Sequence, residues 1–498
     1  MKKILLATWV FGNGNYGQTL QAYALNMVLE NMGYNPFLLI TETEYETYLE
    51  IIGDNPFMIK CEKIEWERIY ANNQDLIKRL SVFDKFVRMN FSFKEKLTDI
   101  DIVCFGSDQL WNPIYDSKLM KTVDDFQLNS VGKFSYATST GAGNFNSELM
   151  VIFDKYCKSI SNLNNISVRE KESIKLINDS FNRGGLKDRN IEVVVDPVFL
   201  LSQSEWKELA ECSEFIQGKE KYIFGYFVGN LNKQRRKCLK KIAENLHLKL
   251  IIVELNCDGE SYMSDVSFPD PLGFVKMIEK SEIVVGDSYH AAVFSIIFNK
   301  QFYLFSRIDK AEWHYENDLR IKHLLGDLDV GDRFVGDYID FLALKDIDYA
   351  DVDKLLEEKI KYSKSYLNNA LKECWEITCA NRLVKNEYLQ YEYPKEVINE
   401  GDKIILYGAG NVGKNIWAQS IAYNYANVVG WVDANAKKYA DLELDIMGAN
   451  TLFEDYDYYF IAIRDKEVAK SAITYLESIG IDKEKIKWCR IDVKHIAS

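Results

Sequence analysis

Proline is scarce in this chain, and no stretch of it is apolar enough to suggest a membrane span. The 498 residues include 7 prolines and 27 glycines, while 47% are hydrophobic and 13% are aromatic. Disordered and collagen-like chains have the opposite composition, so both classes are excluded. No apolar run approaches the ~20 residues that cross a bilayer as a helix. We expect most of the chain to fold, and its length favours about three domains.

Positive charge is also in deficit. The chain has 61 Lys and Arg residues against 75 Asp and Glu residues, which gives a formal net charge of −14. A chain of this sign repels a phosphodiester backbone, so no nucleic-acid partner is expected. An anionic substrate would therefore have to be held by a few Arg or Lys side chains in a cleft.

Cysteine pairs at metal-binding spacings are missing. The nine cysteines are odd in number and scattered, which is typical of reduced thiols and predicts a cytoplasmic protein. Cys374 and Cys379 have no histidine or second pair at the spacing of a zinc site, so no metal is expected. The apolar segment 4–10 is too short for a signal peptide and predicts a first β-strand.

Short apolar runs alternate with longer amphipathic stretches along the chain. This pattern is typical of parallel strands that are buried on both faces and connected by helices, and it predicts an α/β fold. We expect Rossmann-like domains over residues 1–185 and 186–350, then a helical connector over 351–402. A third, small Rossmann-like domain is predicted over 403–498.

A glycine-rich turn, residues 11–18, follows the first predicted strand. Its glycines would let the backbone approach a ligand at the N-terminus of the next helix, beside Asn15, Tyr16 and Gln18. The alternative is a tight strand–helix loop in which the glycines only satisfy the backbone conformation.

A second polar turn, residues 104–113, places Asp108, Gln109 and Trp111 close together in sequence. A sugar ring can stack its C–H face on an indole, while carboxylates and amides bond its hydroxyl groups. The turn is therefore a candidate sugar site, and a polar turn satisfied by its own hydrogen bonds is the alternative.

Arg169 stands at the end of a predicted strand, just before a helix. The carboxyl ends of parallel strands face the ligand crevice of a doubly wound sheet, where an arginine can bind a carboxylate or phosphate through two parallel hydrogen bonds. A surface arginine paired with Glu170 or Glu172 is the alternative.

The turn at residues 283–294 joins a buried strand to an apolar helix through Asp287 and Ser288, and Ser288 is a good N-cap. His290 would lie in the first helical turn and point into the crevice, where the helix dipole disfavours its charged form and an incoming anion favours it. A histidine that only caps or packs against the helix start is the alternative.

Three glycines, Gly408, Gly410 and Gly413, follow a further predicted strand, and Asp433 stands at the end of the next strand. This G-x-G-x-x-G pattern with an acidic residue about 20 positions later predicts a Rossmann turn. The third domain is therefore a candidate site for a nucleotide or nucleotide sugar.

Several stretches, taken together and in order, resemble the polysaccharide pyruvyl transferase family over residues ~1–335. They are Gly14–Leu25, Gly106–Asn112, Tyr136–Gly141, Val168–Glu170, Asp196–Leu200 and Asp287–Phe294. The resemblance implies two facing domains like those of GT-B glycosyltransferases, the first on the acceptor side and the second on the donor side. It also implies transfer of pyruvate from phosphoenolpyruvate, as a ketal, to a cell-surface polysaccharide or its lipid-linked precursor.

The resemblance assigns roles to the candidate residues. His290 would be the catalytic acid and then base, and Asp108 a further base. Arg169 would bind the donor with Asp287 and Ser288. The acceptor would contact the residues of the two turns, Asn15, Tyr16, Gln18, Gln109 and Trp111.

One departure from the family pattern concerns Ser288 and Tyr289, because family members have Arg-Leu before the histidine. Arg320, or failing that Arg307, would supply the missing donor-binding arginine. Phosphoenolpyruvate would be a co-substrate and no other cofactor is expected. A glycosyltransferase that uses a nucleotide sugar, a non-catalytic binding protein of capsule assembly and a dehydrogenase at residues 408–413 are the competing hypotheses.

Overall fold

The computed structural model describes most of the chain, and the following account is confined to those residues. They are 1–10, 14–39, 74–94, 99–114, 128–141, 145–214, 220–229, 231–255, 268–307, 314–336, 345–385 and 391–494. Residues 11–13 of the glycine-rich turn and Ile40, predicted to end the second strand, lie outside them. The chain divides into unit 1, residues 1–128 and 133–370, and unit 2, residues 129–132 and 371–498.

A five-stranded sheet begins unit 1, with the strand order β3-β2-β1-β4-β5. Its strands are β1 Lys3–Ala7, β2 Asn35–Leu39, β3 Phe93–Lys94, β4 Ile102–Phe105 and β5 Gly132–Ser135. The pairings among β1, β2, β3 and β4 are parallel. Two further parallel strands, β6 Ile166–Val168 and β7 Ile191–Val193, extend the layer through a bridge from Thr138 to Val168.

The helices that accompany this sheet follow the apolar periodicity of the sequence. They are α1 Tyr16–Asn31, α2 Gln74–Asn90, α3 Ser147–Ile160, α4 Lys171–Arg183 and α5 Gln203–Glu211. A short 3-10 helix, Pro197–Leu200, begins at Asp196 and leads into α5.

A second parallel sheet follows in unit 1, with the order β12-β11-β10-β8-β9. Its strands are β8 Tyr222–Phe227, β9 Lys249–Glu254, β10 Ile283–Gly286, β11 Gln301–Phe305 and β12 Phe334–Gly336. Its helices are α6 Lys233–Asn245, α7 Pro271–Lys280, α8 Tyr289–Ile297 and α9 His314–Asp327. Every residue of β8 is buried, as expected for a strand covered on both faces.

The two sheets of unit 1 meet through the helices that follow their carboxyl ends. Tyr16, at the start of α1, stacks on Phe274 of α7 with ring centroids 4.5 Å apart, and its hydroxyl donates to the carbonyl of Pro269 at 2.9 Å. The crevice edges of both sheets therefore face each other. The predicted α/β architecture with two facing Rossmann-like sheets is confirmed.

A 37-residue helix, α10 Tyr349–Lys385, follows the second sheet. The charged stretch 352–371 predicts a helix from the sequence, and α10 extends well beyond the end of that stretch. The four predicted domain ranges stay predictions.

Unit 2 contains a third parallel sheet, with the order β15-β14-β13-β16-β17. Its strands are β13 Lys403–Tyr407, β14 Asn427–Asp433, β15 Ile446–Gly448, β16 Tyr458–Ile461 and β17 Ile486–Lys487. Helices α11 Asn411–Ala422 and α12 Lys466–Ser478 connect them. This is the Rossmann-like topology that the sequence predicts for this part of the chain. No helix among the described residues is long and apolar enough to cross a membrane.

Candidate active site

The N-terminus of α8 holds His290 in the crevice of the second sheet. The Cβ of any larger residue at Gly286 would lie 2.1 Å from the carbonyl oxygen of Tyr226, so β10 must end in glycine here. Ser288 then caps the helix, because its hydroxyl accepts a hydrogen bond from the amide of Ala291 at 3.4 Å. His290 follows in the first turn, and its side chain is 11% exposed.

Asp196 is the group that His290 and Arg169 share. Its Oδ2 atom lies 2.7 Å from Nη1 of Arg169 and 3.3 Å from Nε2 of His290. The Nε2 atom is buried and makes no aligned hydrogen bond to the residues that the structure describes. Burial by itself would raise the pKa of this fully buried carboxyl, but His290, Arg169 and the amide of Val198 hold it well below its usual range.

Arg169 is enclosed by groups that favour its charge. Its Nε atom donates to Glu170 at 3.1 Å, and the guanidinium carbon lies 4.6 Å from the ring centre of Tyr289. Burial disfavours the charged form, but Glu170, Tyr289 and Asp196 outweigh it and raise the pKa of Arg169 above its ordinary value. Arg169 therefore has the Glu170 partner that the sequence offered as the alternative, although the pair is buried and not at the surface.

Gly17 of α1 lies against the opposite edge of the His290 ring. A Cβ atom at residue 17 would be 2.0 Å from Nδ1 and 2.5 Å from Cγ of His290. Asn15 begins this helix, because its side chain accepts a hydrogen bond from the amide of Gly17 at 3.0 Å. The imidazole is thus held between Asp196 on its Nε2 side and a glycine of the first sheet's crevice on its Nδ1 side.

Arg320 reaches the same region from α9. With the Gln109 amide oxygen turned toward it, the two terminal nitrogens of Arg320 donate to that oxygen at 3.1 and 3.0 Å. Burial lowers the pKa of Arg320, and the nearby charges of Arg169 and Arg307 lower it further. Three arginines from separate segments are therefore close enough to repel one another, which is the arrangement that an anion stabilises.

Asp108 follows strand β4 and lies close to Arg169 and Arg320. Its negative charge acts on both Arg169 and Arg320 and favours their protonated forms. Its backbone has φ +81°, a strained conformation for a residue with a side chain, and is held by a hydrogen bond from the amide of Ser139 at 2.9 Å. Strain of this kind is concentrated at functional sites.

A cavity of about 650 Å³ opens beside this cluster. Arg169, Asp196, Tyr289 and Arg320 line it, as do Lys171 and Lys359, whereas His290 is not among its lining residues. Both lysines bind Asp327, at 3.1 and 2.9 Å. The volume falls in the usual range of ~300–1,000 Å³ for small-molecule sites.

Four sequence expectations need correction. Trp111 is fully buried, so its ring offers no face on which a sugar could stack. Tyr16 is also fully buried, and its hydroxyl is bound to Pro269. Both carboxylate oxygens of Asp287 accept backbone hydrogen bonds, at 2.6 and 3.0 Å, and fix the end of β8, while Ser288 caps α8. Trp111 and Tyr16 are therefore closed to a ligand, and the observed hydrogen bonds of Asp287 and Ser288 are structural ones within the turn.

The other residues predicted to contact the acceptor are Gln109, Asn15 and Gln18. Gln109 contacts Arg320, and Asn15 positions Gly17. Gln18 is partly exposed in the first turn of α1. Their contact with an acceptor stays a prediction.

Asp196 is the residue that the sequence reasoning missed as a site residue. It follows β7 at the carboxyl edge, so the rule that singled out Arg169 at the end of β6 applies to it equally. Gly17 belongs to the glycine-rich turn that the sequence singles out, but its close contact with the His290 ring was not predicted.

The glycine turn of unit 2 is built as the sequence predicts, with an unexpected role for its acidic residue. Gly408 has φ +107°, and a Cβ at Gly413 would lie 1.9 Å from the Gly408 carbonyl oxygen. Asp433 accepts hydrogen bonds from the amides of Ala409 and Asn435, both at 2.7 Å. Its carboxylate therefore stabilises the turn itself, and nucleotide binding there stays a prediction.

Solved structures similar to this chain have low sequence identity. An α,α-trehalose-phosphate synthase (UDP-forming) from Burkholderia vietnamiensis has 7% identity and a TM-score of 0.38, covering 75% of this chain and 97% of its own. UDP-GlcNAc 2-epimerase from Neisseria meningitidis has 11% identity and a TM-score of 0.35, with coverage of 78% and 100%. Arabidopsis thaliana UGT89C1 has 10% identity and a TM-score of 0.37, with coverage of 76% and 99%.

No curated protein sequence matches the chain. A family model for polysaccharide pyruvyl transferase matches residues 15–309, more than half of the chain. The matched region includes Gly17, Asp108, Arg169, Asp196 and His290, the residues of the candidate site before α9. The chain belongs to the polysaccharide pyruvyl transferase family.

Proposed function

We propose that this chain transfers pyruvate from phosphoenolpyruvate to two hydroxyl groups of a sugar, in a cell-surface polysaccharide or its lipid-linked precursor. The observation that carries the proposal is the cluster of His290 with Asp196, Arg169 and Arg320 beside a cavity of suitable size. A histidine held next to several arginines is what the protonation of a small polyanion requires.

Donor binding would use the arginines in different ways. Arg169 is already neutralised by Asp196 and Glu170, so it contributes mainly to positioning. Arg320 has a lowered pKa and gains most from an added anion. Arg307 has a buried Nε atom without a hydrogen-bond partner among the described residues. Arg320 and Arg307 would together replace the family arginine whose position Ser288 occupies.

His290 would deliver the proton from Nδ1, because Nε2 is buried against Asp196. The proton adds to the methylene carbon of phosphoenolpyruvate, and a sugar hydroxyl attacks the neighbouring carbon and gives up its proton. The C–O bond to phosphate then breaks, and a second hydroxyl closes the ketal as its proton passes to the deprotonated His290. The products are the pyruvylated sugar and inorganic phosphate, and no oxidant or reductant is needed.

Asp108 would accept the proton of the attacking hydroxyl. Its carboxylate makes no hydrogen bond to the residues that the structure describes, and it is near both Arg169 and Arg320. A carboxylate next to the attacking hydroxyl can accept its proton as the new C–O bond forms.

The test is phosphate release from phosphoenolpyruvate by the full chain in the presence of candidate glycans. We expect release only with an acceptor, and we expect His290→Gln to abolish it while donor affinity changes by less than about threefold. His247→Asn, at an exposed histidine with a left-handed backbone, is the matched control and should retain full activity. Turnover of a nucleotide sugar in place of phosphoenolpyruvate would overturn the proposal in favour of glycosyl transfer, and full activity of His290→Gln would remove His290 from the mechanism.

A further inference from the structure

Unit 2 has a cavity of its own, at the end of α11 opposite the glycine turn. Its volume is about 520 Å³, within the range of small-molecule sites. Gln419 in the last turn of α11 lines it, together with Tyr423 and Tyr425 directly after the helix. The proposed transfer reaction makes no use of this cavity.

Two lysines in the cavity have no acidic partner among the residues that the structure describes. Lys395 places its ammonium 5.2 Å from the ring centre of Tyr425, and Lys494 donates to Oε1 of Gln419 at 3.4 Å. Glu392 lines the same cavity without pairing with either lysine, so the lining has one net positive charge. In a chain with a net charge of −14, two unpaired cations at one cavity indicate an anionic ligand.

The lining also offers aromatic rings and a fixed amide. Tyr423 is 61% exposed, although large aromatic side chains are usually more buried. Tyr393 and Tyr425 meet edge to face at 5.1 Å. The amide of Gln419 is 4% exposed and held by the carbonyls of Asn415 and Tyr391, at 3.2 and 3.4 Å. Rings that take a C–H face, with polar groups at the edge, are suited to sugars.

We propose that this cavity binds an acidic sugar unit of a glycan, that is, a pyranose that carries a carboxylate. Lys395 and Lys494 would bind the carboxylate, Tyr423 would cover the apolar face of the ring, and Glu392 would accept hydrogen bonds from hydroxyl groups.

The test measures binding to the full chain by calorimetry and by saturation-transfer NMR. The probes are a tetrasaccharide that contains glucuronic acid, the same tetrasaccharide with its carboxyl groups reduced, and UMP. We expect the acidic tetrasaccharide to bind about two- to 25-fold more tightly than the reduced one, because two ion pairs at an exposed site each contribute a change of about 1.4- to fivefold. We expect UMP to leave its binding unchanged.

Variants locate the site. Lys494→Gln should weaken the binding of the acidic tetrasaccharide about two- to fivefold and leave the binding of the reduced one unchanged. Tyr423→Ala should weaken the binding of both. Lys466→Gln and Tyr475→Ala are matched controls on α12, outside the cavity lining, and should bind as the unaltered chain does. Absence of binding, equal affinity for the two tetrasaccharides, competition by UMP, or equal losses in the control variants would each overturn the proposal. None of these outcomes depends on the donor used by unit 1.

Discussion

Gly17→Ala is the sharpest perturbation that the candidate active site offers. An added methyl group would lie 2.0 Å from Nδ1, 2.5 Å from Cγ and 2.8 Å from Cε1 of His290. To restore an ordinary contact of 3.4 Å, the imidazole has to move by about 1.4 Å. Because Gly17 lies in the first turn of α1 without a positive φ, the backbone itself accepts alanine.

Two opposed effects decide the stability of this variant. Alanine is favoured over glycine in a helix by up to about 1 kcal/mol. Overpacking of a closely fitted site costs about 1–3 kcal/mol. We therefore expect the free energy of unfolding to fall by about 0–2 kcal/mol, a change that leaves the chain folded.

Activity should respond far more strongly than stability. A displacement of about 1 Å in a catalytic group lowers the rate roughly 100-fold, so we expect turnover to fall by at least this factor. The assay is phosphate release under saturating donor, with unfolding in urea measured on the same preparation. The His290 ring signals in a ¹⁵N-labelled sample report the displacement directly.

Gly331→Ala is the matched control, because Gly331 lies in a 3-10 helix outside the cavity lining and no atom lies within 4 Å of its added Cβ. It should stabilise the chain slightly and leave turnover unchanged. If Gly17→Ala shifts the His290 signals but keeps normal turnover, the position of this imidazole has no role in the reaction and the reasoning is refuted.

Three further substitutions test separate parts of the account. Asp196→Asn should lower the free energy of unfolding by about 3–5 kcal/mol at pH 7, because Arg169 loses its buried partner. Since folding lowers the pKa of Asp196, the loss of stability is complete above pH ~4 and becomes smaller as the pH falls toward the pKa of the folded state. Urea unfolding of both proteins at pH 7 and pH 3 measures this loss. An equal loss at both pH values would contradict an ionised carboxylate at residue 196. Arg320→Lys should weaken the binding of phosphoenolpyruvate about tenfold in calorimetry, because an ammonium cannot bond Gln109 and a phosphate in the same planar arrangement. Arg183→Lys, at an exposed ion pair, is the control and should leave the affinity unchanged. Equal affinities of the two variants would exclude Arg320 from the donor site. Asp433→Ala should destabilise unit 2 by about 2 kcal/mol through two lost backbone hydrogen bonds, and an unchanged thermal unfolding would show that the carboxylate does not support the turn.

The local framework of the site could be predicted from the sequence. A buried strand, a capping serine and an apolar helix specify the turn that presents His290, because each signal is local in the chain. The same holds for the glycine turn of unit 2, where Gly413 must lack a side chain for the helix to pack on the strand. Spacing is sufficient when all partners lie within about 20 residues.

Burial at the site could not be predicted in this way. Trp111 and Tyr16 stand at carboxyl edges, as ligand-binding residues do, but both are fully buried, and Tyr16 is stacked on Phe274 of a helix of the other sheet. The partner of Arg169 lies 27 residues away and that of Gly17 lies in another sheet, and such pairings depend on tertiary structure. Helix α10 also continues past the predicted end because Cys374, Thr378 and Ala380 are buried, and packing there overrides modest helix propensity.

The buried charges at residues 169, 170 and 196 are better explained by function than by stability. Ion pairs removed from water contribute little net stability, and apolar side chains of similar volume often stabilise a fold as well or better. Here three charged groups are packed at the crevice edge beside His290. Oδ2 of Asp196 lies next to Nε2 of the imidazole, and Nδ1 faces Gly17. A cluster kept only for folding would have no reason to share one carboxylate oxygen between an arginine and a histidine. The arrangement fits the role proposed for His290, because a catalytic acid must return to the same position after each proton transfer.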